Sequence, residues 1–419
     1  MRYFLPDWED RLDPNYNFEN DEFSRDKSIA YDTDIYAHQI FKKPPYDGIL
    51  VSLAIFKNKI NLNSDINGQR QVRTYGSIKE YLKIHPKSKL EVMGDCGAFS
   101  YINEEIPPDD YHTEKVAETY QSLRFDYGVS VDHMIPDIIV KKVDGNKKIK
   151  IPLTDQQKEQ RRQLSISNAK DFIKYHRKKN LNFIPIGAVQ GYSPETYADS
   201  TARLIEMGYS YIGIGTLVPK SDDEIVEILK RVKKVIAKKN IKIHLFGILR
   251  PQIIKEFKSL GVSSLDSASF LRKAWLRAGR NYITKNGDWY AAIRVPYSDN
   301  PVLIKNALKE GYSIDKVIEM ETKALKVLRD YADRKTKNIE EVLNTILEYD
   351  KLLLREYDGN HHYDKYRKTL MDRPWEKCNC EICRKIGVEV IIFRGSNRNK
   401  RRGFHNIKIF YDFILKNKS

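Results

Sequence analysis

The feature that most constrains the fold is an alternation of short apolar runs with longer amphipathic stretches between residues 48 and 295. Short apolar runs predict buried strands, and apolar residues spaced by three and four predict the helices between them. Eight strands alternating with helices over about 250 residues match an α/β (β/α)8 TIM barrel, although a doubly wound open sheet gives a similar pattern. The strand candidates are 48–54, 90–93, 127–131, 183–189, 211–214, 242–247, 263–265 and 289–295.

Several of the predicted helices carry their own start and stop signals. Ser193 precedes a proline and a helical pattern over 194–207, and 221–239 begins S-D-D-E, which is a capping box. A third helix over 251–260 is predicted to end at Gly261, because glycine readily adopts the left-handed conformation that ends helices.

Two insertions interrupt this alternation. Residues 138–151 (IIVKKVDGNKKIKI) predict a basic β-hairpin with Asp144-Gly145 at its turn, and residues 300–357 have the apolar spacing of packed helices. The predicted organisation is an irregular lead-in over 1–40, a barrel with its hairpin insertion over 41–299, a helical insertion over 300–370, and a zinc-binding lobe packed on the barrel over 371–419.

A cysteine cluster near the C-terminus predicts a metal site. Three of the four cysteines, Cys378, Cys380 and Cys383, fall within six residues, and His405 follows them. Three thiolates and a histidine form a closed tetrahedral set, which is typical of structural Zn²⁺ rather than catalytic Zn²⁺. The alternative interpretation is a chance cluster of reduced thiols with a histidine on the surface. Cys96 has no obvious disulfide partner, which also fits a reducing compartment.

The charge balance favours a polyanionic partner. The chain has 73 Lys and Arg against 57 Asp and Glu, a net charge of +16, with basic clusters over 141–150 and 394–402. Such an excess is typical of nucleic-acid binding, although a lysine-rich surface can also serve solubility alone. No apolar run is long enough to span a bilayer, and the acidic, proline-interrupted start is not a signal peptide. We therefore expect a cytoplasmic protein without a membrane partner.

Chemistry-bearing residues follow the predicted strands. Carboxylates end three of them, and glutamine or glycine ends three more; the positions are Asp95, Asp132, Asp266, Gln190 with Gly191, Gly215 with Thr216, and Gly247. Function in parallel barrels sits at these carboxyl ends. One such aspartate alone would most simply cap the next helix, but three together predict an active site.

The motifs then reach a known family. In order they are D-C-G-A-F, V-D-H-M-I-P, A-V-Q-G, I-G-T-L, F-G-I-L-R-P and L-D-S-A, followed by C-N-C-E-I-C and a later histidine. This order resembles the tRNA-guanine transglycosylase superfamily over roughly residues 48–410. The resemblance implies a (β/α)8 barrel with a zinc-bearing insertion or tail. It also implies exchange of a guanine in nucleic acid for a 7-deazaguanine base.

The resemblance also implies roles for individual residues. Asp266 matches the nucleophile, Asp95 the general acid/base, and Asp132 with Gln190 the residues that bind the hydrogen-bonding edge of the purine. A carboxylate suits that edge of guanine, because N1–H and the 2-amino group are both donors. Base exchange by double displacement would pass through a covalent Asp–glycosyl intermediate. The remaining base-pocket residues implied are Gly191, Gly215, Thr216, Leu217, Phe246, Gly247 and Phe99.

The sequence departs from the pattern of tRNA-acting family members, and this difference bears on whether the substrate is DNA or tRNA. After Asp266 the chain reads D-S-A-S-F-L-R-K-A-W-L-R-A-G, where Arg272 keeps its expected offset, and 112 residues separate Asp266 from Cys378. This combination most resembles the DpdA-type branch, which acts on DNA and inserts 7-cyano-7-deazaguanine or a relative. Accessory proteins of a DNA-modification system are candidate partners. The predicted backbone contacts are Arg272, Lys147, Lys148, Lys150, Arg398 and Arg401.

Two alternatives remain open from the sequence. A divergent tRNA-guanine transglycosylase would keep the same catalytic residues and differ only in its polymer. A non-catalytic nucleic-acid-binding subunit on the same barrel would belong to another class of protein, but such a scaffold has no evident need for both Asp95 and Asp266.

Overall fold

The computed structural model describes residues 1–54, 76–143, 147–237, 239–276, 279–353 and 359–416. The chain forms two compact units. The first comprises Met1–Glu9 and Tyr46–Ala268, and the second comprises Asp10–Pro45 and Ser269–Lys418. These limits differ from the predicted boundaries at residues 40 and 299, because the first residues of the chain belong to the first unit and residues 269–299 to the second.

The first unit is a closed barrel. Among the residues that the structure describes, eight parallel strands form it, and each strand pairs with the next one of the barrel along the chain. The strands of this unit in chain order, including the hairpin strands β5 and β6, are β1 (Arg2–Pro6), β2 (Gly48–Ser52), β3 (Glu91–Asp95), β4 (Tyr127–Val129), β5 (Ile138–Val143), β6 (Lys147–Pro152), β7 (Ile184–Val189), β8 (Tyr211–Ile214), β9 (Lys242–Leu245) and β10 (Val262–Asp266). The prediction of a (β/α)8 barrel is therefore confirmed.

The barrel closes through a strand that the sequence did not reveal. β1 pairs with both β10 and β2, with Phe4 opposite Asp266 on one side and Gly48 on the other. The expectation of an irregular lead-in was wrong at β1. Its five residues end with Pro6 and an acidic stretch follows, so they do not show a clear strand pattern. The predicted eighth strand over 289–295 was wrong as a barrel strand, because it forms two short pairs in the second unit instead.

The interior of the barrel is filled by alternate residues of its strands. Because side chains alternate across a strand, every second residue faces inward, and these residues pack into one cluster. Its members are Phe4, Leu50, Met93, Tyr127, Val129, Ile186, Ala188 and Tyr211, with the partly buried Phe246 packed against them.

The helices of the first unit follow the local signals in the sequence. The helix Pro194–Glu206 has Ser193 as its N-cap and proline in its first turn, and Asp222–Ile236 has the predicted capping box of Ser221 and Glu224. Gly261 adopts a φ of 87° and ends the third predicted helix. The other helical segments of this unit are Ile78–Tyr81, Ala98–Tyr101, Asp109–Tyr111, Thr113–Ser122, Asp155–Lys179, Pro251–Ile253 and Ile254–Ser259.

The basic hairpin forms where it was predicted. β5 and β6 pair antiparallel from Ile138 opposite Pro152 to Val143 opposite Lys147. The predicted turn residues Asp144 and Gly145 lie outside the described residues. The hairpin follows β4, at the carboxyl end of a barrel strand, which is the end where function is expected.

The second unit is mainly helical. Two short strand pairs accompany the helices: β11 (Tyr282–Ile283) with β12 (Trp289–Tyr290), and β13 (Ile293–Arg294) with β14 (Ile392–Phe393). Its helical segments are Lys27–Ile29, Ala30–Thr33, Ala37–Ile40, Ser269–Lys273, Pro301–Lys309, Ile314–Ala332, Ile339–Asp350, Lys351–Leu353, Gly359–Asp372, Glu381–Ile386, Gly387–Ile391, Gly395–Ile409 and Phe410–Lys416. None of the described helices has the length and apolarity that crossing a bilayer requires.

Candidate active site

Three carboxylates occupy carboxyl ends of the barrel strands. Asp95 is the last residue of β3, Asp266 is the last residue of β10, and Asp132 lies three residues beyond the end of β4. The side chains of Asp132 and Asp266 are buried. Because all barrel strands are parallel, these ends lie on the same face of the barrel, where a parallel barrel builds its active site.

Asp95 is held partly protonated near neutral pH. Burial raises the pKa of Asp95 to about 7, and the negative charges of Asp132 and Asp266 add to that rise. Hydrogen bonds from the Gly97 amide and the Ser52 side chain act against it. A carboxyl group whose pKa lies near the working pH can both donate and accept a proton, which is what a general acid/base needs.

Asp132 and Gln190 form one hydrogen-bonded unit. The Gln190 Nε2 donates a short hydrogen bond to Asp132 Oδ2, and the Cys96 thiol donates to Asp132 Oδ1 at 3.1 Å. The Thr216 hydroxyl donates to Gln190 Oε1 at 2.7 Å, which orients the amide. Burial raises the pKa of Asp132 despite these donors. The unit presents hydrogen-bonding groups in a buried place, as recognition of a flat heterocycle requires.

The backbone at residues 215 and 216 leaves room for the hydrogen-bonded pair of Asp132 and Gln190. Thr216 has a φ of 54°, a left-handed conformation that is unfavourable for a β-branched residue. At Gly215, a Cβ atom would collide with the Gln190 amide. The strained backbone at Thr216 and the missing side chain at Gly215 therefore allow Gln190 to lie close to the end of β8.

Asp266 has two polar neighbours at one carboxylate oxygen. The Gly247 amide lies 3.0 Å from Asp266 Oδ1, and His244 Nε2 lies 3.1 Å from the same oxygen. Gly247 has a φ of 67°, which glycine adopts without strain. Both neighbours come from β9 and the turn after it, so this segment contacts the carboxylate of β10.

The other predicted pocket residues have different degrees of exposure. Gly191 and Leu217 are buried, Phe246 is partly buried, and Gly247 is exposed. Phe99 is 74% exposed and lies in the short helix Ala98–Tyr101, directly after β3. A large aromatic ring in such a position is available for contact with a ligand, whereas the buried residues can act only through their backbone or their packing.

Besides Ser52 at Asp95, sequence reasoning missed three side chains that contact the site carboxylates or their neighbours. They are Cys96 at Asp132, His244 at Asp266, and Tyr3, whose hydroxyl donates to the Ser267 carbonyl at 2.6 Å. A signal for His244 was available, because it is a polar residue inside the buried apolar strand KIHL. Tyr3 could not be found without knowing that β1 is part of the barrel.

The second unit contains the predicted metal cluster. The ligand atoms of Cys378, Cys380, Cys383 and His405 all lie within 4.8 Å of one another. His405 Nδ1 lies 3.6, 3.4 and 3.4 Å from the three sulfur atoms in that order. Tetrahedral bonds of about 2.3 Å to sulfur and about 2.0 Å to nitrogen place S and N about 3.5 Å apart. The cluster could therefore hold a metal ion.

The surroundings of His405 also suit a metal ligand. Its Nε2 lies 2.8 Å from the Ile283 carbonyl, and its ring stacks on Tyr282 with centroids 4.0 Å apart. A carbonyl partner at Nε2 holds the proton there and leaves Nδ1 unprotonated toward the sulfur atoms, as in many metal-bound histidines.

The predicted nucleic-acid contacts divide into two groups. Lys148 and Lys150 on the hairpin are exposed, as is Arg272 on Ser269–Lys273; the side chain of Lys147 lies outside the described residues. The prediction was wrong for Arg398 and Arg401, which are 0% and 4% exposed.

Ion pairing within the second unit explains the burial of these arginines. Arg398 pairs with Asp21 and with Glu389, and Arg401 donates to the Asp13 carbonyl at 2.8 Å. Segment 10–45 supplies two of these partners. A basic run in the sequence is therefore not a basic surface here, because long-range partners cover it.

Comparisons with known proteins identify the family of this chain. Residues 53–392 match the queuine tRNA-ribosyltransferase (TGT) family. A DNA-guanine transglycosylase of Salmonella montevideo is 35% identical over 417 residues, which cover 98% of this chain and 96% of that protein. The chain therefore belongs to the queuine tRNA-ribosyltransferase family and is a guanine transglycosylase, a pentosyltransferase.

Proposed function

We propose that this enzyme replaces guanine in DNA with a 7-deazaguanine, such as 7-cyano-7-deazaguanine, through a covalent Asp266–glycosyl intermediate. The observation that carries the proposal is the group of strand-end carboxylates, in which the pKa of Asp95 is raised to about 7 by burial and by the charges of Asp132 and Asp266. Two carboxylates with different environments can divide the work of nucleophile and acid/base, as in retaining glycosidases.

In the first half-reaction the carboxylate of Asp266 attacks C1′ of the target nucleotide. The bond from C1′ to Asp266 forms while the bond from C1′ to guanine N9 breaks, and protonated Asp95 gives its proton to the leaving base. Donation from the Gly247 amide and His244 fixes the orientation of the carboxylate. The target nucleotide would have to leave the base stack to reach these residues.

In the second half-reaction the incoming base takes the place of guanine. Its N9–H proton passes to ionised Asp95, N9 bonds to C1′, and Asp266 is released. Asp132 and Gln190 can hold either base, because guanine and 7-deazaguanine share the N1–H and 2-amino donors. The buried Asp132–Gln190 unit is therefore suited to an exchange between the two.

Two observations support DNA as the substrate: the name of the similar Salmonella montevideo protein and the sequence after Asp266. The Salmonella montevideo protein is named a DNA-guanine transglycosylase, and the similarity spans nearly both whole chains. The run after Asp266, D-S-A-S-F-L-R-K-A-W-L-R-A-G, departs from the pattern of tRNA-acting members. The second candidate is a tRNA substrate, because the family description names tRNA.

One assay separates the polymers and tests the intermediate. Purified protein is incubated with labelled guanine and either plasmid DNA or tRNA, and incorporation is measured for wild type, Asp266→Asn and Asp95→Asn. We expect incorporation into DNA by the wild type alone, together with a DNA–protein adduct that survives denaturation. Incorporation only into tRNA would support the second candidate, and full activity of Asp266→Asn would refute the assignment of the nucleophile.

We also propose that the hairpin contacts the DNA backbone. Lys148 and Lys150 are exposed on β6, which follows the carboxyl end of β4. Lys148→Glu with Lys150→Glu should weaken DNA binding and lower the slope of log K against log salt by about 2, because each phosphate contact contributes about 0.9. The matched control reverses Lys178 and Lys179, which are exposed at the C-terminal end of Asp155–Lys179. An unchanged slope in the hairpin variant would refute the contact.

The proposal also covers the bound metal, the cellular compartment and the partner proteins. We propose that Cys378, Cys380, Cys383 and His405 hold one structural Zn²⁺, which suits three thiolates and one imidazole. Such thiolates persist in a reducing compartment, so we place the enzyme in the cytoplasm. Accessory proteins of a DNA-modification system are the partners to test by adding them to the exchange assay.

A further inference from the structure

A chain of polar side chains runs through the barrel interior to Asp266. Arg2 Nη2 lies 3.5 Å from the Tyr211 hydroxyl, which lies 2.5 Å from Ser264 Oγ. Ser264 Oγ lies 2.7 Å from His244 Nδ1, and His244 Nε2 lies 3.1 Å from Asp266 Oδ1. His244 and Ser264 are 0% exposed and Tyr211 is 1% exposed, so partners inside the protein must satisfy these groups.

The direction of this chain is set at its Arg2 end. A guanidinium can only donate, so Tyr211 accepts from Arg2. The phenol proton of the buried Tyr211 needs an acceptor of its own, and Ser264 Oγ lies 2.5 Å away, so we assign donation from Tyr211 to Ser264. The Ser264 hydroxyl then donates to His244 Nδ1. With Nδ1 acting as an acceptor, the ring proton of His244 is on Nε2, where it points at Asp266.

We propose that His244 is a positioning residue that holds the Asp266 carboxylate for attack, and that Ser264 and Tyr211 hold His244 as its Nε2–H tautomer. This inference rests on the proposed role of Asp266 as nucleophile. His244 Nε2 and the Gly247 amide both donate to Oδ1. We therefore assign the attack on C1′ to Oδ2, with Oδ1 as the held oxygen.

The opposite tautomer would reverse the contact with the carboxylate. With the ring proton on Nδ1, Nε2 would present a lone pair to Asp266 Oδ1, and two acceptors 3.1 Å apart repel. The carboxylate would then rotate away from Nε2. A shift of about 1 Å at a reacting group can cost about 100-fold in rate.

The test compares variants that keep or remove the donor at Nε2. His244→Gln places an amide N–H near the position of Nε2, whereas His244→Phe keeps a ring and removes the donor. In single turnover, His244→Phe should form the covalent adduct about 100-fold more slowly than the wild type, and His244→Gln should stay within about tenfold of the wild-type rate. In the steady state, KM for the free base should change little in either variant. Equal adduct rates in His244→Phe and wild type would overturn the positioning role, as would equal losses in both variants at unchanged thermal stability.

A second comparison tests the tautomer without using activity. Ser264→Ala removes the donor to Nδ1, and Ser263→Ala is the matched control, since Ser263 Oγ accepts from the Ile243 amide at 3.3 Å instead. In protein labelled with ¹⁵N in its histidine rings, the His244 signals should show a protonated Nε2 and an unprotonated Nδ1. Ser264→Ala should mix the tautomers and lower kcat, whereas Ser263→Ala should do neither.

The outcomes for the two proposals are distinct. If the wild type gives no covalent adduct although it exchanges bases, the proposed intermediate fails and the tautomer result is unaffected. If the adduct forms but the ring proton is on Nδ1, this inference fails and the proposed function stands.

Discussion

The hydrogen bond from Ser52 to Asp95 provides a test of the proposed role of Asp95 as general acid. Ser52 ends β2 and is the register partner of Asp95 on β3, and its side chain lowers the pKa of that carboxyl group against the larger effect of burial. Ser52→Ala removes one donor to the ionised form, while the Gly97 amide remains 3.2 Å from Asp95 Oδ2. The ionised form loses stabilisation, so the pKa of Asp95 must rise above its value of about 7.

The size of the shift follows from the strength of such a bond. A hydrogen bond to a charged group contributes about 1.5 kcal/mol at the low end, and 1.36 kcal/mol corresponds to one pKa unit, so we expect a rise of about one unit. In the proposed first half-reaction Asp95 must be protonated, so kcat/KM for DNA falls as pH rises through its pKa. Moving that limb from about 7 to about 8 raises the protonated fraction at pH 8 about fivefold.

The assay is the initial rate of release of labelled guanine from DNA at low substrate concentration between pH 6 and about 9.5, a range wide enough to define a limb near 8. The control is Ser100→Ala, because Ser100 Oγ donates to the Gly97 carbonyl at 2.8 Å rather than to a carboxylate. A basic limb that stays in place in Ser52→Ala, or moves to lower pH, would refute the assignment of Asp95 as the acid. An equal shift in Ser100→Ala would point to a general effect of the loop.

Two further predictions concern the second unit. Cys380→Ser should lose the zinc that elemental analysis measures, and it should lower the thermal midpoint by about 5–10 °C. The size of that shift follows because 1 kcal/mol corresponds to about 2–4 °C in a domain of this size. Cys96→Ser is the control and should keep the metal, because Cys96 is not in the cluster. Arg398→Met should lower the free energy of unfolding by about 3 kcal/mol, the low end for a broken buried pair, because Asp21 and Glu389 each lose one arginine and keep another. Arg334→Met should change the free energy of unfolding by less than about 0.5 kcal/mol, since the Arg334 side chain is 67% exposed in its pair with Glu376. Retained zinc in the first variant, or similar losses in the two arginine variants, would contradict these assignments.

Most of the barrel could be predicted because its signals are local. Seven of the eight predicted strands are barrel strands, and the capping box at Ser221 and the stop at Gly261 lie where the sequence placed them. Each signal is contained in about ten neighbouring residues, so it survives without knowledge of the fold. β1 was missed because it ends with a proline and runs into an acidic stretch, and because its pairing with β10 joins residues more than 260 positions apart.

The candidate site likewise contains residues that the sequence could predict and residues that it could not. Asp95, Asp132 and Asp266 could be found as polar residues ending apolar strands, since a parallel barrel brings all such ends to one face. The donors that orient them could not be assigned, because His244 meets Asp266 only through the register of β9 with β10. Arg398 was misplaced for the opposite reason, since its partner Asp21 lies 377 residues earlier in the chain.

Residue type and short spacing encode the alternation that makes a barrel, the carboxylates at its strand ends and the four residues of the cysteine–histidine cluster, so all three could be predicted from the order of amino acids alone. Three features became known from the fold: the strand that closes the barrel, the side chains that contact each carboxylate, and the basic residues that are exposed. Those features depend on contacts between distant segments, and such contacts exist only once burial has brought the segments together.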